Sequence, residues 1–360
     1  MKKTFLIFLV FMIGFTAFSS LKVALLLNGT LGDKSFFDSA ARGVEMAEKE
    51  LGIEAKIIEM GYNPSEWYPT VDDISYMGEY DLIIVGTWQM VDIIAELAPL
   101  YPETDYVIFD TEMDYGKENL DNVYSIVYKQ NEGSFLAGAL AALVSESSEF
   151  KYSKHDKNII GFLGGMDIPV INDFLVGYIQ GAQYIDSKIK VAVSYVGAWN
   201  DPAKGKEFTL SMYRNGADTV FAVAGETGNG VLDAAKDTDN WAIGVDSDMQ
   251  LLYAEKDMNI VNHTLTSMLK NVDYSILRAI KLYTENKLPL GTTESLGLKE
   301  RAVGLADNKY FRSILMNADP EVLIKLKDLE LDIIRGDIEV NTAGGMSNDE
   351  LNRIRNSVRP

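Results

Sequence analysis

Apolar runs of strand length alternate with longer amphipathic segments along most of the chain. The run "LKVALLL" (21–27) is followed by "SAARGVEMAEKELG" (39–52), whose apolar residues recur at helical spacing until Gly52 stops them. "EAKIIEM", "YDLIIVG" and "TDYVIFD" repeat the strand pattern, with helix-forming stretches such as "MVDIIAELAPLYPE" between them. Strands that are apolar on both faces and separated by helices predict a parallel sheet covered on both sides. After "NVYSIVY" and "EGSFLAGALAALVSE" the alternation restarts with "KNIIGFLGG", "KIKVAVSYVG", "ADTVFAVAG" and "NWAIGVDSD". The expected fold is α/β, with two doubly wound parallel-sheet domains of similar plan and no residue-level repeat.

Beyond the second alternation, "NIVNHTL" reads as one more strand and "SMLKNVDYSILRAIKLYTENK" (267–287) as a helix returning to the first domain. The short segments after Pro289 read as irregular structure and edge strands. This divides the chain into a first lobe of 20–127 plus 267–289 and a second of 128–266 plus 290–360. Near the end, Ser347 with Glu350 three residues on predicts a capping box.

Residues 1–19 stand apart. Lys2 and Lys3 precede an apolar run from Phe5 to Phe15 and small residues at Ala17 and Ser19. This is the pattern of a secretory signal peptide cleaved after Ser19, the run being shorter than the roughly 20 residues that span a membrane, with an uncleaved membrane anchor as the alternative reading. A secreted or periplasmic location follows as the expectation. The chain has no Cys, so neither a disulfide nor a lipid-bearing lipobox cysteine is available. A formal charge of −20 argues against nucleic acid as partner, since such proteins concentrate Lys and Arg on one face. A monomer that binds a small uncharged or cationic molecule fits better.

In doubly wound sheets, ligands bind beyond the carboxyl ends of the strands. In the first domain those ends carry Asn28, Asp33, Ser35, Phe36 and Phe37, then Thr87, Trp88 and Gln89, then Asp110. The second domain offers "GGMDIP" (164–169), "GAWNDP" (197–202), "GETGNG" (225–230) and "GVDSD" (244–248). Carboxylates accept pairs of hydroxyl hydrogen bonds, aromatic faces stack planar rings, and glycines allow close backbone approach. The set describes a pocket for a flat ring bearing hydroxyls. Taken singly, Asp33 and Asp248 are equally placed to cap helices, and Phe36 to pack in a core. Catalytic signatures are absent or weak: His155 and His263 lack metal-ligand spacing, and "GETGNG" lacks the Lys and Ser/Thr of a P-loop. Asp246 and Asp248 lack the further acceptors of a calcium loop, so no metal or cofactor is expected.

The stretches "GDKSFFDSA", "NEGSFLAGALAA", "GGMDIPVINDF", "GYIQG", "DPAKGKE", "AGETGNGV", "IGVDSD" and "TSMLKNVD" together resemble the basic membrane protein family. That family is the purine-nucleoside receptor branch of the substrate-binding proteins of ABC importers. The resemblance runs from residue 21 to about residue 290. It implies a type I periplasmic-binding-protein fold, two Rossmann-like domains joined by three hinge strands. It also implies Phe36 and Trp199 as stacking faces, Asp110 at the base, Gly225 as a backbone contact, and Asp246 with Lys270 on the ribose hydroxyls. Asp33 matches the acidic position before the Phe, and Trp88 comes from the strand-end reading. The chain departs from the family pattern at Phe37 for Asn, Trp199 and Asn200 for Phe and Asp, and Glu226 for Gly, and it lacks the lipoprotein cysteine. The implied function is capture of a nucleoside for an ABC permease, without catalysis. Alternatives are another flat ring such as riboflavin, a ligand sensor, or a secreted nucleoside hydrolase.

Overall fold

The computed structural model describes residues 20–116, 119–153 and 157–360. The expected signal peptide (1–19) and His155 lie outside the described residues. β1 (Lys22–Leu27) is buried at every position after Lys22, and α1 (Phe36–Leu51) ends where Gly52 takes a left-handed φ of 68°. Then follow β2 (Glu54–Glu59), α2 (Trp67–Met77), β3 (Leu82–Gly86), α3 (Val91–Leu97), β4 (Asp105–Phe109) and β5 (Val123–Tyr128). α4 (Gln130–Glu146) opens the second unit, which continues through β6 (Ile159–Gly164), α5 (Pro169–Ile185), β7 (Lys190–Tyr195) and α6 (Pro202–Arg214). Next come β8 (Thr219–Val223), α7 (Asn229–Thr238), β9 (Trp241–Asp246), α8 (Met249–Tyr253), α9 (Met258–His263) and β10 (Thr264–Lys270). The chain ends with α10 (Val272–Thr284), β11 (Thr292–Leu296), β12 (Val303–Leu305), α11 (Lys309–Ala318), α12 (Pro320–Arg335) and α13 (Asn348–Ser357).

The strands form two six-stranded sheets of matching order, β2-β1-β3-β4-β5-β11 and β7-β6-β8-β9-β10-β12. All neighbours are parallel except β12, which runs antiparallel to β10. The two doubly wound α/β units expected from the pattern are therefore present, each completed by a strand from late in the chain. Sheet membership places the crossings after residues 128, 270 and 296, where the pattern alone divided the chain at 127, 266 and 289. The crossings are tied to one another: Lys129 N–H donates to the Leu296 carbonyl at 2.9 Å and Asn271 N–H to that of Ala302 at 2.8 Å.

Two expectations are corrected. "NIVNH" is helical, its N-terminus capped by the Asp257 carboxylate on Asn259 and Ile260 N–H. The strand is Thr264–Lys270, so the helix expected over 267–287 begins only at Val272. A short run such as "LTSML" satisfies either periodicity, and the slot between β9 and β12 decides it, with Leu265 and Met268 fully buried. Beyond Pro289 the expected edge strands are present as β11 and β12, but much of the rest of the segment is helical rather than irregular. α11 and α12, capped by Asn308 and Asp319, bury Phe311, Leu315, Val322, Leu326, Leu329 and Ile333 at helical spacing. The capping box of α13 is formed as expected.

Helix packing is unusually close where the sequence is small. A Cβ at Gly138 would lie 2.0 Å from the Tyr178 carbonyl oxygen, and one at Gly181 would lie 1.9 Å from that of Phe135. Only glycine lets α4 and α5 approach this nearly. α10 returns to the first unit and packs on α1. No helix among the described residues is long and apolar enough to cross a membrane.

Candidate functional site

The carboxyl ends of both sheets face one cavity of about 410 Å³ between the two lobes. Its wall includes Asp33, Phe36, Trp88 and Asp110 from the first lobe and Trp199, Gly225, Asp246 and Lys270 from the second, so the eight residues singled out in the sequence line one space. Asn28, Phe37, Thr87, Gln89, Met166, Ile168, Phe174 and Glu226 complete much of the lining. Among the described residues no group of three or more His, Cys, Asp or Glu could hold a metal ion.

Several wall residues occupy backbone conformations that side chains rarely adopt. Thr87, Asp110 and Asp246 have φ of 73°, 65° and 62°, and each directly ends or follows a strand. Such strain persists only where the surroundings over-determine it, and it tends to mark ligand sites. Here all three residues, from strand ends of both sheets, line the cavity.

The aromatic faces are fixed by packing. The ring of Phe36 lies edge to face with Phe37 (centroids 5.3 Å apart, planes at 71°) and tilted over Phe109 (5.4 Å). Phe37 rests on Gly29, where a Cβ would fall 2.2 Å from its ring. Phe37 is therefore largely a buttress for Phe36, while still reaching the wall. On the opposite side Trp199 lies over Gly165, where a Cβ would come within 2.4 Å of the indole. Trp88 is 56% exposed at the cavity wall, a position open to the entrance.

The charged groups span the cleft. Lys270, buried in the second lobe, pairs with Asp110 of the first. Its ammonium sits 5.4, 5.1 and 5.4 Å from the rings of Phe36, Tyr128 and Phe174. Cation–π attraction helps hold a charge in such a place. Burial pushes the Asp110 carboxyl above its ordinary value, and Lys270 offsets this only in part. Asp246 accepts a hydrogen bond from the Ser35 hydroxyl across the cleft, and burial pushes its carboxyl up to about 6. At the rim the Arg42 guanidinium reaches Ser247 Oγ at 3.2 Å. The lobes thus touch across the cleft.

Asp33 is built differently. Its two oxygens accept the N–H groups of Ser35 (2.9 Å), Phe37 (2.9 Å) and Asp38 (3.2 Å), so it organises the start of α1 while lining the cavity. Asp248 likewise caps α8 through Leu251 N–H at 3.1 Å and does not line the cavity. Sequence reasoning missed Tyr128 and Phe174 around Lys270, because a buried aromatic on a strand or helix carries no local mark of its partner. It also missed Arg355 of α13, which grips Asp167 in the loop between Met166 and Ile168.

Two α/β lobes with a ligand-sized, aromatic and acidic cavity between their strand ends define a two-lobed solute-binding protein. The chain belongs to the basic membrane protein (Bmp) family, whose model, described as "ABC transporter substrate-binding protein PnrA-like", matches residues 20–342. It is 31% identical over 338 residues to the "ABC transporter nucleoside-binding protein BmpA" of Lactococcus lactis, covering 89% of each chain. It is 31% identical over 324 residues to the "CD4+ T-cell-stimulating antigen" of Listeria monocytogenes, covering 87% of this chain and 85% of the relative. Among solved structures, an ABC transporter solute-binding protein from Aeropyrum pernix K1 superposes with a TM-score of 0.80 at 26% identity, over 94% of this chain and 99% of that one.

Proposed function

We propose that this protein is an extracytoplasmic receptor that captures a nucleoside, in particular a purine nucleoside, between its lobes and delivers it to an ABC importer. The observation that carries this reading is that Phe36 and Trp199, one from each lobe, line the wall of one cavity. A planar base fits between such faces. Asp246 and Lys270, lining the same cavity, supply an acceptor and a donor for a ribose diol. Asp110, paired with Lys270 at the same wall, meets a polar group of the base in this reading. Gly225, with its φ of 57°, offers backbone at the wall.

In this mechanism the lobes part to admit the ligand and close upon it by bending at the three crossings. Ligand that contacts both lobes shifts the population toward the closed form, which the permease recognises. No bond is made or broken. Residues 1–19 direct export and are removed, and the mature chain acts as a monomer with no bound cofactor.

The test is calorimetry on purified protein with inosine, guanosine, uridine, riboflavin and ribose, together with mass spectrometry of any molecule released on denaturation. Purine nucleosides binding at least tenfold more tightly than uridine or ribose is the expected result. Riboflavin binding in preference to every nucleoside would overturn the reading, and free base accumulating from inosine would assign an enzyme instead.

A further inference from the structure

Four carboxylates line the cavity, and three of them are matched by the protein itself. Asp33 accepts three backbone N–H groups, Asp110 pairs with Lys270, and Asp246 accepts the Ser35 hydroxyl. The fourth, Glu226, is partly buried at the wall and has no hydrogen-bond or ion-pair partner among the described residues. A ligand that covers this wall would withdraw the carboxylate from water, which is costly unless the ligand brings hydrogen-bond donors to it.

The backbone fixes where Glu226 stands. The preceding residue, Gly225, has a left-handed φ of 57°, and a Cβ on it would lie 3.7 Å from the Trp199 indole and 3.5 Å from the Trp199 carbonyl oxygen. The following residue, Thr227, donates its N–H to that same carbonyl at 2.9 Å, and its hydroxyl accepts Asp201 N–H at 2.8 Å. Glu226 is therefore held to the Trp199 segment from both sides, in the first turn of the short 3₁₀ helix Gly225–Gly228. Glu226 and Trp199 line the same cavity.

We infer that Glu226 is a specificity-determining residue that reads the edge of the ring stacked on Trp199, and that it selects a base with two adjacent N–H donors. An ionised carboxylate has two acceptor oxygens in one plane and no donor, so its best planar counterpart is a pair of neighbouring N–H groups. A guanine-type edge, with its ring N–H beside an exocyclic amine, presents that pair, whereas hypoxanthine presents the ring N–H alone. This inference rests on the nucleoside reading and narrows it to a base class. The acidic wall also disfavours phosphorylated ligands, because a phosphate would meet unmatched negative charge.

Calorimetry with guanosine and inosine on the wild-type protein and on Glu226→Gln tests it, because the two ligands differ only in the exocyclic amine. The wild type is expected to bind guanosine at least tenfold more tightly than inosine. In Glu226→Gln, which keeps the size of the side chain and gives up one acceptor, the ratio should fall to within about threefold, mainly through weaker guanosine binding. Equal affinities for the two ligands in the wild type, or a ratio untouched by the substitution, would overturn the assignment while leaving the nucleoside reading intact. Failure of both ligands to bind the wild type would remove the nucleoside reading and this inference together.

Discussion

The Lys270 ammonium of one lobe and the Asp110 carboxylate of the other form a buried ion pair across the cleft. Removing one partner of such a pair strands the other without compensation, at a cost of about 3–5 kcal/mol. Lys270→Met should therefore lower stability to urea and reduce nucleoside affinity by about a hundredfold or more. Adding Asp110→Asn should restore much of the stability and none of the affinity. Urea denaturation with parallel calorimetry separates the two effects, and recovery of both together would show that Lys270 does not reach the ligand.

Asp246 should make binding pH-dependent. Burial holds its carboxyl at about 6, above the ordinary carboxylate range, so between pH ~4 and about 6 the folded chain keeps a proton that the unfolded chain has lost. For this group alone, acidification through that window favours the folded state, and stability falls as pH rises through it. Ligand affinity moves the opposite way, because hydroxyl donors require the ionised acceptor. Nucleoside affinity should weaken as pH falls from 7.5 to 5, with a midpoint near 6. Asp246→Asn should bind weakly with a flat profile, and a wild-type profile without a step near 6 would dismiss the role.

Gly165 sets the position of Trp199. Ala at 165 would bring its Cβ within 2.4 Å of the indole, which would have to swing away from its place on the wall. Gly165→Ala should thus mimic Trp199→Ala, each losing about tenfold or more in affinity, since a stacked base contributes roughly 1–3 kcal/mol. Unchanged affinity in Gly165→Ala, alongside a loss in Trp199→Ala, would mean that the indole has room elsewhere.

Arg355 acts on the cavity at one remove. Its guanidinium bonds Asp167 at 2.6 and 3.2 Å, Asn172 Oδ1 at 2.8 Å and the Tyr195 hydroxyl at 2.9 Å. Partial burial works against the charge on Asp167, but the hydrogen bonds from Arg355 and Asn172 outweigh it and hold that carboxyl below its ordinary value. Because Asp167 is half exposed, the pair itself should contribute no more than about 1 kcal/mol to stability. Arg355→Met is expected to speed amide exchange at residues 165–168 and weaken ligand binding several-fold, with little change in melting temperature. Arg355→Lys, which keeps the charge, should recover part of both losses. Identical exchange in wild type and Arg355→Met would dispose of the idea.

The two sheets were readable in the sequence because most of their inner strands are apolar at nearly every position. The sequence was less informative where one run serves two periods, as in residues 264–270, whose strand character comes from the slot beside β9. The residues gathered at the cavity were legible for a topological reason: whatever follows a parallel strand in such a sheet faces the crevice. Asp33 and Phe37 show what topology leaves out. Both follow β1 and both line the cavity, yet Asp33 spends its oxygens on the start of α1 and Phe37 leans on Gly29. Strand-end position assigns a residue to the wall, and only packing decides how much of it is left over for a ligand.

The three crossings have a consequence for how the chain folds. The first sheet receives its sixth strand from Thr292–Leu296 and a covering helix from Val272–Thr284, long after its neighbour β5 is finished at Tyr128. A growing chain that ends at residue 270 leaves the first lobe with an open strand edge and an uncovered face of α1. Neither lobe can be completed without residues from the last third of the chain, so the two should reach their native form nearly together, and neither should survive as an excised fragment.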